Sequence, residues 1–390
     1  MLQIRKLRQV DCFFLFVMIA YAFDFGNLKY AMAWCFSAIY FLGSGLYEKR
    51  RLRGIGKEYL LVFDGITFLF AITAILQMIN GFNSYAINEA VYYYTPLIFI
   101  IVYSQISDEQ DVETILNYLF VLYVIVFLRN FAGQLTLANL KSISFANSYS
   151  PFESELAFVF LIFECFYLYM GKRKNAIISL ILCILSFKRI SMLAAIGFFI
   201  FSKWIVVKKA VNKKIVIVTT VVFVLLPVLT CLMLNDTLEA WFYQIFHVTL
   251  NEITLTRSSR IEAVINSGQI KYGLGSVTTY LTKYLNALHG SNFSNRNLHN
   301  DLVKIYLECG ILGSIVFTYI YMKAASVSRM LFVMMCYIFF ECYFNHLFGA
   351  GSTDIWILIY LIMSIAGMTT RNAESDGGEN GANYSFYTDI

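Results

Sequence analysis

The chain has 390 residues, of which 59% are hydrophobic and only 14% are charged, and its formal net charge is +5. A soluble domain carries about 25% charged residues, so too few charges remain here to coat a surface in water. The composition therefore excludes an ordinary soluble domain, a disordered chain, a nucleic-acid binder of the basic-patch type and a secreted disulfide scaffold. It predicts an integral membrane protein.

Apolar segments of roughly 20 residues are expected for membrane-spanning helices. Cutting the sequence at its polar and charged clusters gives about twelve such segments, several of them short. We therefore predict an all-α, polytopic membrane domain over residues 1–370. The segments lie at 10–24, 30–47, 59–79, 90–104, 114–129, 155–170, 175–188, 189–203, 214–234, 302–322, 330–348 and 355–369.

The positions of the Lys and Arg residues predict the orientation, because cytoplasmic loops are enriched in both. With the N-terminus inside, most of the 30 basic residues fall on the cytoplasmic side. This orientation places one large polar loop, residues 235–301, outside the membrane between the ninth and tenth segments. The tail at 371–390, rich in Gly, Asn, Ser and acidic residues, is predicted to be a disordered cytoplasmic end.

All four histidines fall on the outer side under this topology, namely His247, His289, His299 and His346. Histidine is the side chain best suited to exchange protons near neutral pH. Acid–base chemistry is therefore expected outside the membrane.

A short hairpin at Lys188 and Arg189 places two cations on the outer side, where the topology disfavours them. Such residues near a membrane are functional candidates, and a guanidinium binds phosphate oxygens in a bidentate manner. The alternative is one helix over 176–202 with the two cations extending from its middle.

Within the long loop, Arg257 and Arg260 are three residues apart and can share a helix face. Gly273 and Gly275 follow in a glycine-rich turn, a pattern that more often makes a tight turn than a phosphate cradle. Arg260 could instead pair with Glu262 or Glu252.

The strongest motif lies where the loop leads into the tenth segment. His299 and Asn300 precede Glu308 and the pair Gly310 and Gly313 inside that segment. His299 could be a packing residue and Asn300 a helix cap, but a carboxylate inside a membrane helix is costly unless paired. Closely spaced glycines also allow another helix to approach.

This string resembles the His-Asn, nine residues, Gly-x-x-Gly signature of the O-antigen ligase and Wzy-type polysaccharide polymerase superfamily. The superfamily's other landmarks occur in the expected order: an outward arginine before a helix (Arg189), an Arg-x-x-x-aliphatic element (Arg260 to Val264) and the Gly-x-Gly element. Two positions depart from the pattern: Lys188 precedes the outward arginine where a small residue is expected, and Val264 stands where leucine is common.

The resemblance implies a membrane glycosyltransferase in the bacterial inner membrane, with both termini cytoplasmic. The implied substrate is a polyprenyl-diphosphate-linked (undecaprenyl-type) oligosaccharide, and a chain-length regulator protein is a further candidate partner. No cofactor and no metal are expected, because arginines could supply the counter-charge. The implied catalytic residues are His299, Arg260 and Arg189. Diphosphate binding falls to Arg189, Arg257 and Arg260, with Asn300, Glu308, Gly273 and Gly275 as supporting residues.

Three functions remain open at this stage. The first is a polymerase that transfers a lipid-linked glycan onto a lipid-linked repeat unit, and the second is a ligase that transfers it onto lipid A-core. The third is a transporter or lipid flippase, for which the charged residues Asp64 and Glu341 inside apolar segments could be cited. The long outer loop with its arginines and histidines favours the enzymes, and we favour the polymerase.

Overall fold

The structure is a computed structural model that describes most of the chain. The described residues are 7–43, 56–134, 136–142, 152–207, 209–234, 240, 243–245, 247, 257–268, 272–289, 298–349 and 351–376. Much of the predicted loop at 235–301 and residues 377–390 of the predicted tail therefore lie outside the described residues.

Helices make up the described parts of the chain. In order they are α1 (Gln9–Ala22), α2 (Leu28–Gly43), α3 (Lys57–Asn80), α4 (Tyr85–Ile106), α5 (Glu109–Gln134), α6 (Leu137–Lys141), α7 (Leu156–Tyr169), α8 (Arg173–Leu185), α9 (Arg189–Ile200), α10 (Ser202–Ile205), α11 (Lys213–Met233), α12 (Arg257–Asn266), α13 (Ser276–His289), α14 (Asp301–Ala325), α15 (Arg329–Phe344) and α16 (Thr353–Asp376).

Each of the predicted apolar segments coincides with one of these helices, so the all-α prediction is confirmed. Within the described residues, α3, α4, α5, α11 and α14 are long and apolar enough to cross a bilayer. Other apolar helices, such as α1, α7 and α9, are shorter. Twelve spans therefore stays a prediction. The last helix ends at Asp376, six residues into the segment that was predicted to be disordered.

The hairpin at Lys188 and Arg189 joins two separate helices. α8 ends at Leu185 and α9 begins at Arg189. Between them, Phe187 has a φ of 51°, a left-handed conformation that a continuous right-handed helix does not contain. The reading of 176–202 as one helix is therefore wrong.

Burial separates inner from outer helices. Every residue of α7 after Leu156 is buried, and most of α14 is buried as well. By contrast, α3 and α11 expose large apolar side chains such as Met78 and Val218. An apolar face of this kind is typical of a helix that borders lipid.

α14 is the central helix of the second half of the chain, packing against α3, α11 and α15. The contact with α3 is close at Gly65, where a Cβ atom would lie 2.5 Å from Cγ2 of Ile320. Small residues at such crossings allow the two backbones to approach. Van der Waals packing at this position therefore holds α3 against the helix that carries the sequence motif.

The described part of the long loop folds onto the first half of α14. A small apolar cluster joins α12, α13 and α14, and its buried members are Ile261, Val264, Val277, Leu281, Leu285, Leu298, Val303 and Leu307. Full burial of one such side chain contributes about 1.5–3 kcal/mol. The cluster therefore anchors α12, with its two arginines, beside the residues that precede α14.

The close crossing at Gly65 predicts a difference between two glycines. Alanine in a helix interior is more favourable than glycine by about 0.5–1 kcal/mol, and we expect that gain at Gly197 in α9, where an added Cβ meets nothing within 4 Å. Gly65→Ala should instead destabilise the protein by ~1–3 kcal/mol, because the methyl group collides with Ile320. Thermal unfolding in detergent compares the two variants; equal stability for both would contradict the close contact.

Candidate active site

A cavity of about 350 Å³ lies between α4, the start of α7, α13 and the turn that joins α15 to α16. This volume is at the lower end of the range of roughly 300–1,000 Å³ that is usual for small-molecule sites. Its walls are formed by Tyr85, Asn88, Glu89, Tyr92, Glu155, Phe158, Thr278, Thr282, His299, Asn345, His346, Leu347, Gly351 and Ser352. The predicted histidine, His299, is among them.

His299 is half-buried in the cavity wall and has a φ of 54°. Left-handed backbone is uncommon outside glycine and is enriched at functional sites. The pKa of His299 is lowered to about 4, first by burial and then by the positive charges of Arg257 and Arg260, whereas Asp301 acts in the opposite direction. His299 is therefore neutral at pH 7 and accepts rather than donates a proton.

Arg257 and Arg260 occupy the first turn of α12, three residues apart as predicted. Partial burial lowers the pKa of both guanidinium groups, and their mutual repulsion contributes to the lowering at Arg257. One Arg257 Nη1–H group donates to the backbone carbonyl of Phe344, at the end of α15. The two cations are thus gathered next to the histidine, where they can bind an anion.

The structure does not bring Arg189 to this cavity. Its side chain is exposed at the start of α9, whereas the ammonium group of the preceding residue, Lys188, lies 4.3 Å from the ring centroid of Phe158, a cavity residue. The Lys188 charge also acts on the buried carboxylate of Glu341. Of the two hairpin cations, Lys188 is therefore the one adjacent to the site.

Asn300 is the N-cap of α14. Its side-chain oxygen accepts from the Val303 backbone N–H at 3.0 Å, which satisfies one of the free donors at a helix start. Asn300, and not His299, therefore caps α14, and His299 lies in the cavity wall.

Asp301 fixes the turn between α15 and α16. Its Oδ2 accepts from the backbone N–H groups of Leu347 at 2.6 Å and Phe348 at 2.9 Å. Its Oδ1 lies 2.5 Å from Nδ1 of His346. A carboxylate at Nδ1 sets the orientation of an imidazole, so the site contains a second, oriented histidine that the motif did not indicate.

A buried charged triad lies further along α14. Lys304 forms an ion pair with Glu89 of α4, and both side chains are 5% exposed. Glu308, fully buried, accepts from the Val277 backbone N–H at 3.0 Å through Oε1. Glu308 thus contacts the start of α13. Its supporting role at the diphosphate stays a prediction.

The Gly-x-Gly element is a packing turn. Gly273 and Gly275 have φ values of 91° and 84°, which favour glycine. A Cβ on Gly275 would lie 2.7 Å from the backbone of Tyr85 and Ala86, so the turn sits directly on α4. The Gly273 N–H donates to the Glu308 carbonyl at 2.9 Å, two residues before the non-helical break at Gly310.

Four residues of the site were absent from the sequence-based set, namely Glu89, Asp301, Lys304 and His346. A signal for three charges on α14 was available, since positions 301, 304 and 308 share one helix face. No spacing rule connects that face with Glu89 in α4 or with His346 after α15.

The fold and the site define an all-helical membrane protein with a polar cavity flanked by arginines and histidines. Residues 175–318 match the family described as O-antigen ligase. This match confirms the resemblance to the O-antigen ligase and Wzy superfamily over that part of the chain. Neither the curated proteins nor the solved structures yielded a match. His299, Arg257 and Arg260 lie inside the matched segment, whereas Glu89 and His346 lie outside it.

The electrostatic environment of His299 predicts its response to loss of a neighbouring charge. In Arg257→Gln, the pKa of His299 should rise from about 4 towards its usual value, because one repelling cation is removed. Asp301, Arg260 and His346 also act on the ring and remain in place. Nuclear magnetic resonance titration of histidine-labelled protein measures the change, and an unchanged His299 titration would show that Arg257 does not act on it.

The two hairpin cations should differ in importance. Lys188→Met removes the cation next to Phe158 and should lower activity at least about tenfold, a change of ~1.4 kcal/mol. The neighbouring Arg189→Met serves as the matched variant and should have a smaller effect, because its side chain is exposed. Activity in complemented cells compares the two; a larger loss at Arg189 would restore it as the principal hairpin cation.

Proposed function

We propose that the protein is a polysaccharide polymerase of the O-antigen type. It transfers a glycan chain from a polyprenyl diphosphate to a sugar hydroxyl of a lipid-linked repeat unit, at the outer face of the inner membrane. The observation that supports this most is a neutral histidine in the wall of a polar cavity, with two arginines whose charges act on it from outside the lining. A chain-length regulator is a proposed partner.

The chemistry requires only groups that this site offers. The acceptor hydroxyl oxygen attacks the anomeric carbon of the donor sugar, while the bond from that carbon to the diphosphate oxygen breaks. The diphosphate leaves with the bonding electron pair, and Arg257 and Arg260 stabilise the charge that develops on it. The hydroxyl proton passes to the neutral imidazole of His299.

Donor binding would tune the base. A pKa of about 4 makes His299 a weak base in the free enzyme, because a general base works best with a pKa near the working pH. A bound diphosphate compensates the charges of Arg257 and Arg260, which raises the pKa of His299 towards its usual value. Proton abstraction is then favoured once the donor is in place, which limits unproductive reactions before binding.

Ligation to lipid A-core uses the same donor and also requires leaving-group stabilisation and proton transfer from the acceptor hydroxyl. The site chemistry therefore fits a ligase equally well. We favour the polymerase, by analogy, because the sequence outside the motifs is idiosyncratic and rich in aromatic residues and isoleucine, as in enzymes that each recognise one repeat unit. Lipopolysaccharide from a deletion strain, examined on silver-stained gels, separates the two. Core capped with one repeat unit indicates a lost polymerase, and bare core with accumulated lipid-linked polymer indicates a lost ligase.

Substitutions at the proposed catalytic groups should abolish polymer synthesis. His299→Ala should lower the rate by about 10²–10⁴-fold, as is usual for loss of a general base. Arg260→Ala should cost about 10²–10³-fold through lost stabilisation of the leaving group. The measurements are polymer yield and chain length in the complemented deletion strain, with the protein level in the membrane determined in parallel.

His247→Ala is the matched control for the histidine. It lies in the same loop, is exposed and does not line the cavity, so polymer yield should stay at the wild-type level. Wild-type polymer in both His299→Ala and Arg260→Ala cells would refute the assignment of these two residues.

A further inference from the structure

Two residues that line the cavity each have a buried polar atom without a hydrogen-bond partner among the described residues. These atoms are Oε2 of Glu89, in α4, and Oγ1 of Thr282, in α13. The two residues are 4% and 9% exposed, and both line the cavity with His299. Buried polar groups are almost always hydrogen-bonded, so each exception requires an explanation.

Glu89 is held in a fixed position by its other oxygen. Its Oε1 is taken by the ammonium group of Lys304 on α14, so the carboxylate is anchored while Oε2 has no hydrogen-bond partner among the described residues. Buried, anchored acceptors of this kind are preorganised for binding, because no side-chain freedom is lost when the ligand arrives.

The lining selects the chemistry of the ligand. None of the residues that line the cavity is Lys or Arg, and the buried carboxylate of Glu89 is already paired with Lys304, so the lining suits an uncharged ligand better than an anion. A carboxylate oxygen accepts hydrogen bonds only, and a threonine hydroxyl both donates and accepts. Tyr85 and Tyr92 add aromatic surface to the same wall. A ligand that fits these features is uncharged, carries hydroxyl or amide donors and has a ring with an apolar face. A sugar has all of these properties.

We propose that α4 and α13 form the subsite for the acceptor sugar, with Glu89 and Thr282 as its hydrogen-bonding anchors. This inference rests on the proposed function. The donor sugar is bonded to the diphosphate and must lie with Arg257 and Arg260. The attacking hydroxyl belongs to the end of the repeat unit that is remote from its own diphosphate, so it enters a cavity that no Lys or Arg lines and meets His299 there.

Part of the subsite lies outside the segment that matches the family model, which supports a role in selecting the acceptor sugar. Glu89 lies outside residues 175–318, the part that matches the O-antigen ligase family, whereas the arginines and His299 lie inside it. Diphosphate and proton handling would thus be shared within the family, and the choice of acceptor sugar would come in part from α4 of this chain.

Thr282→Val tests the subsite because structural and functional roles predict opposite results. Replacing a buried hydroxyl that has no partner by an isosteric methyl group should leave the melting temperature unchanged or raise it. Loss of a hydrogen bond to the acceptor should raise the acceptor KM about five- to tenfold and leave the donor KM unchanged. Thr282→Ser keeps the hydroxyl and should retain the wild-type acceptor KM.

The assay uses purified full-length protein with the lipid-linked repeat unit as donor. The acceptor probe is the free repeat-unit oligosaccharide released from its carrier by mild acid, which lacks the diphosphate and cannot act as a donor. Glu89→Gln should raise the acceptor KM at least about tenfold, since hydrogen bonds to a charged group are the stronger ones. Thr220→Val is the control, because Thr220 is also buried but its hydroxyl bonds within α11.

The outcomes separate the subsite from the proposed function. A raised acceptor KM in Thr282→Val and Glu89→Gln, with wild-type values in Thr282→Ser and Thr220→Val, supports the subsite. Active variants whose acceptor KM equals that of the wild type would overturn the subsite and leave the polymerase intact. A wild-type protein that joins no donor to this acceptor and elongates no lipid-linked unit would overturn both.

Discussion

A row of buried charged side chains along the first half of α14 is the constraint on which the site depends. Asp301, Lys304 and Glu308 are all at most 4% exposed, and their spacing places them on one helix face. A buried charge costs several kcal/mol unless it is paired and hydrogen-bonded. Each must therefore be met by another element: Asp301 by the turn after α15, Lys304 by α4, and Glu308 by the start of α13. The cavity lies where these elements meet.

These polar contacts specify the relative positions of the helices, which apolar packing alone cannot do. Inside a bilayer, lipid tails compete equally well for an apolar helix face, so helix positions are set by close packing and by polar contacts. The crossing at Gly65 supplies the close packing for α3, and the charged row fixes the register of α4 and α13 against α14. Loss of one partner of a buried pair leaves an uncompensated charge, at a cost of about 3–5 kcal/mol. The geometry of the cavity is thus sensitive to single changes far from His299.

The sequence was sufficient for the apolar helices. Apolar segments bounded by charges predicted their positions, because burial from water acts locally along the chain, whereas α6, α12 and α13 coincide with none of the predicted segments. The motif also predicted His299 and the arginine pair at Arg257 and Arg260, which are close in sequence to one another or to a helix start. Arg189 was chosen over Lys188 because a guanidinium suits phosphate, yet the turn at Phe187 directs Lys188 to Phe158. Glu89 could not be found, since its partner on α14 lies 215 residues away. His346 was placed on the outer side with the other histidines, but no spacing linked it to Asp301, 45 residues away.

Charge alone would orient the two substrates in the proposed reaction. Arg257 and Arg260 would attract the donor diphosphate to one side of His299, whereas none of the residues that line the cavity on which His299 also borders is Lys or Arg. A repeat unit would therefore enter that cavity by its uncharged end, which carries the attacking hydroxyl. Attraction of the diphosphate at one position and its absence at the other would discriminate between the two ends. Because the same lipid-linked molecule serves as donor and as acceptor in a polymerase, this separation of charge is what would keep its two ends from exchanging places.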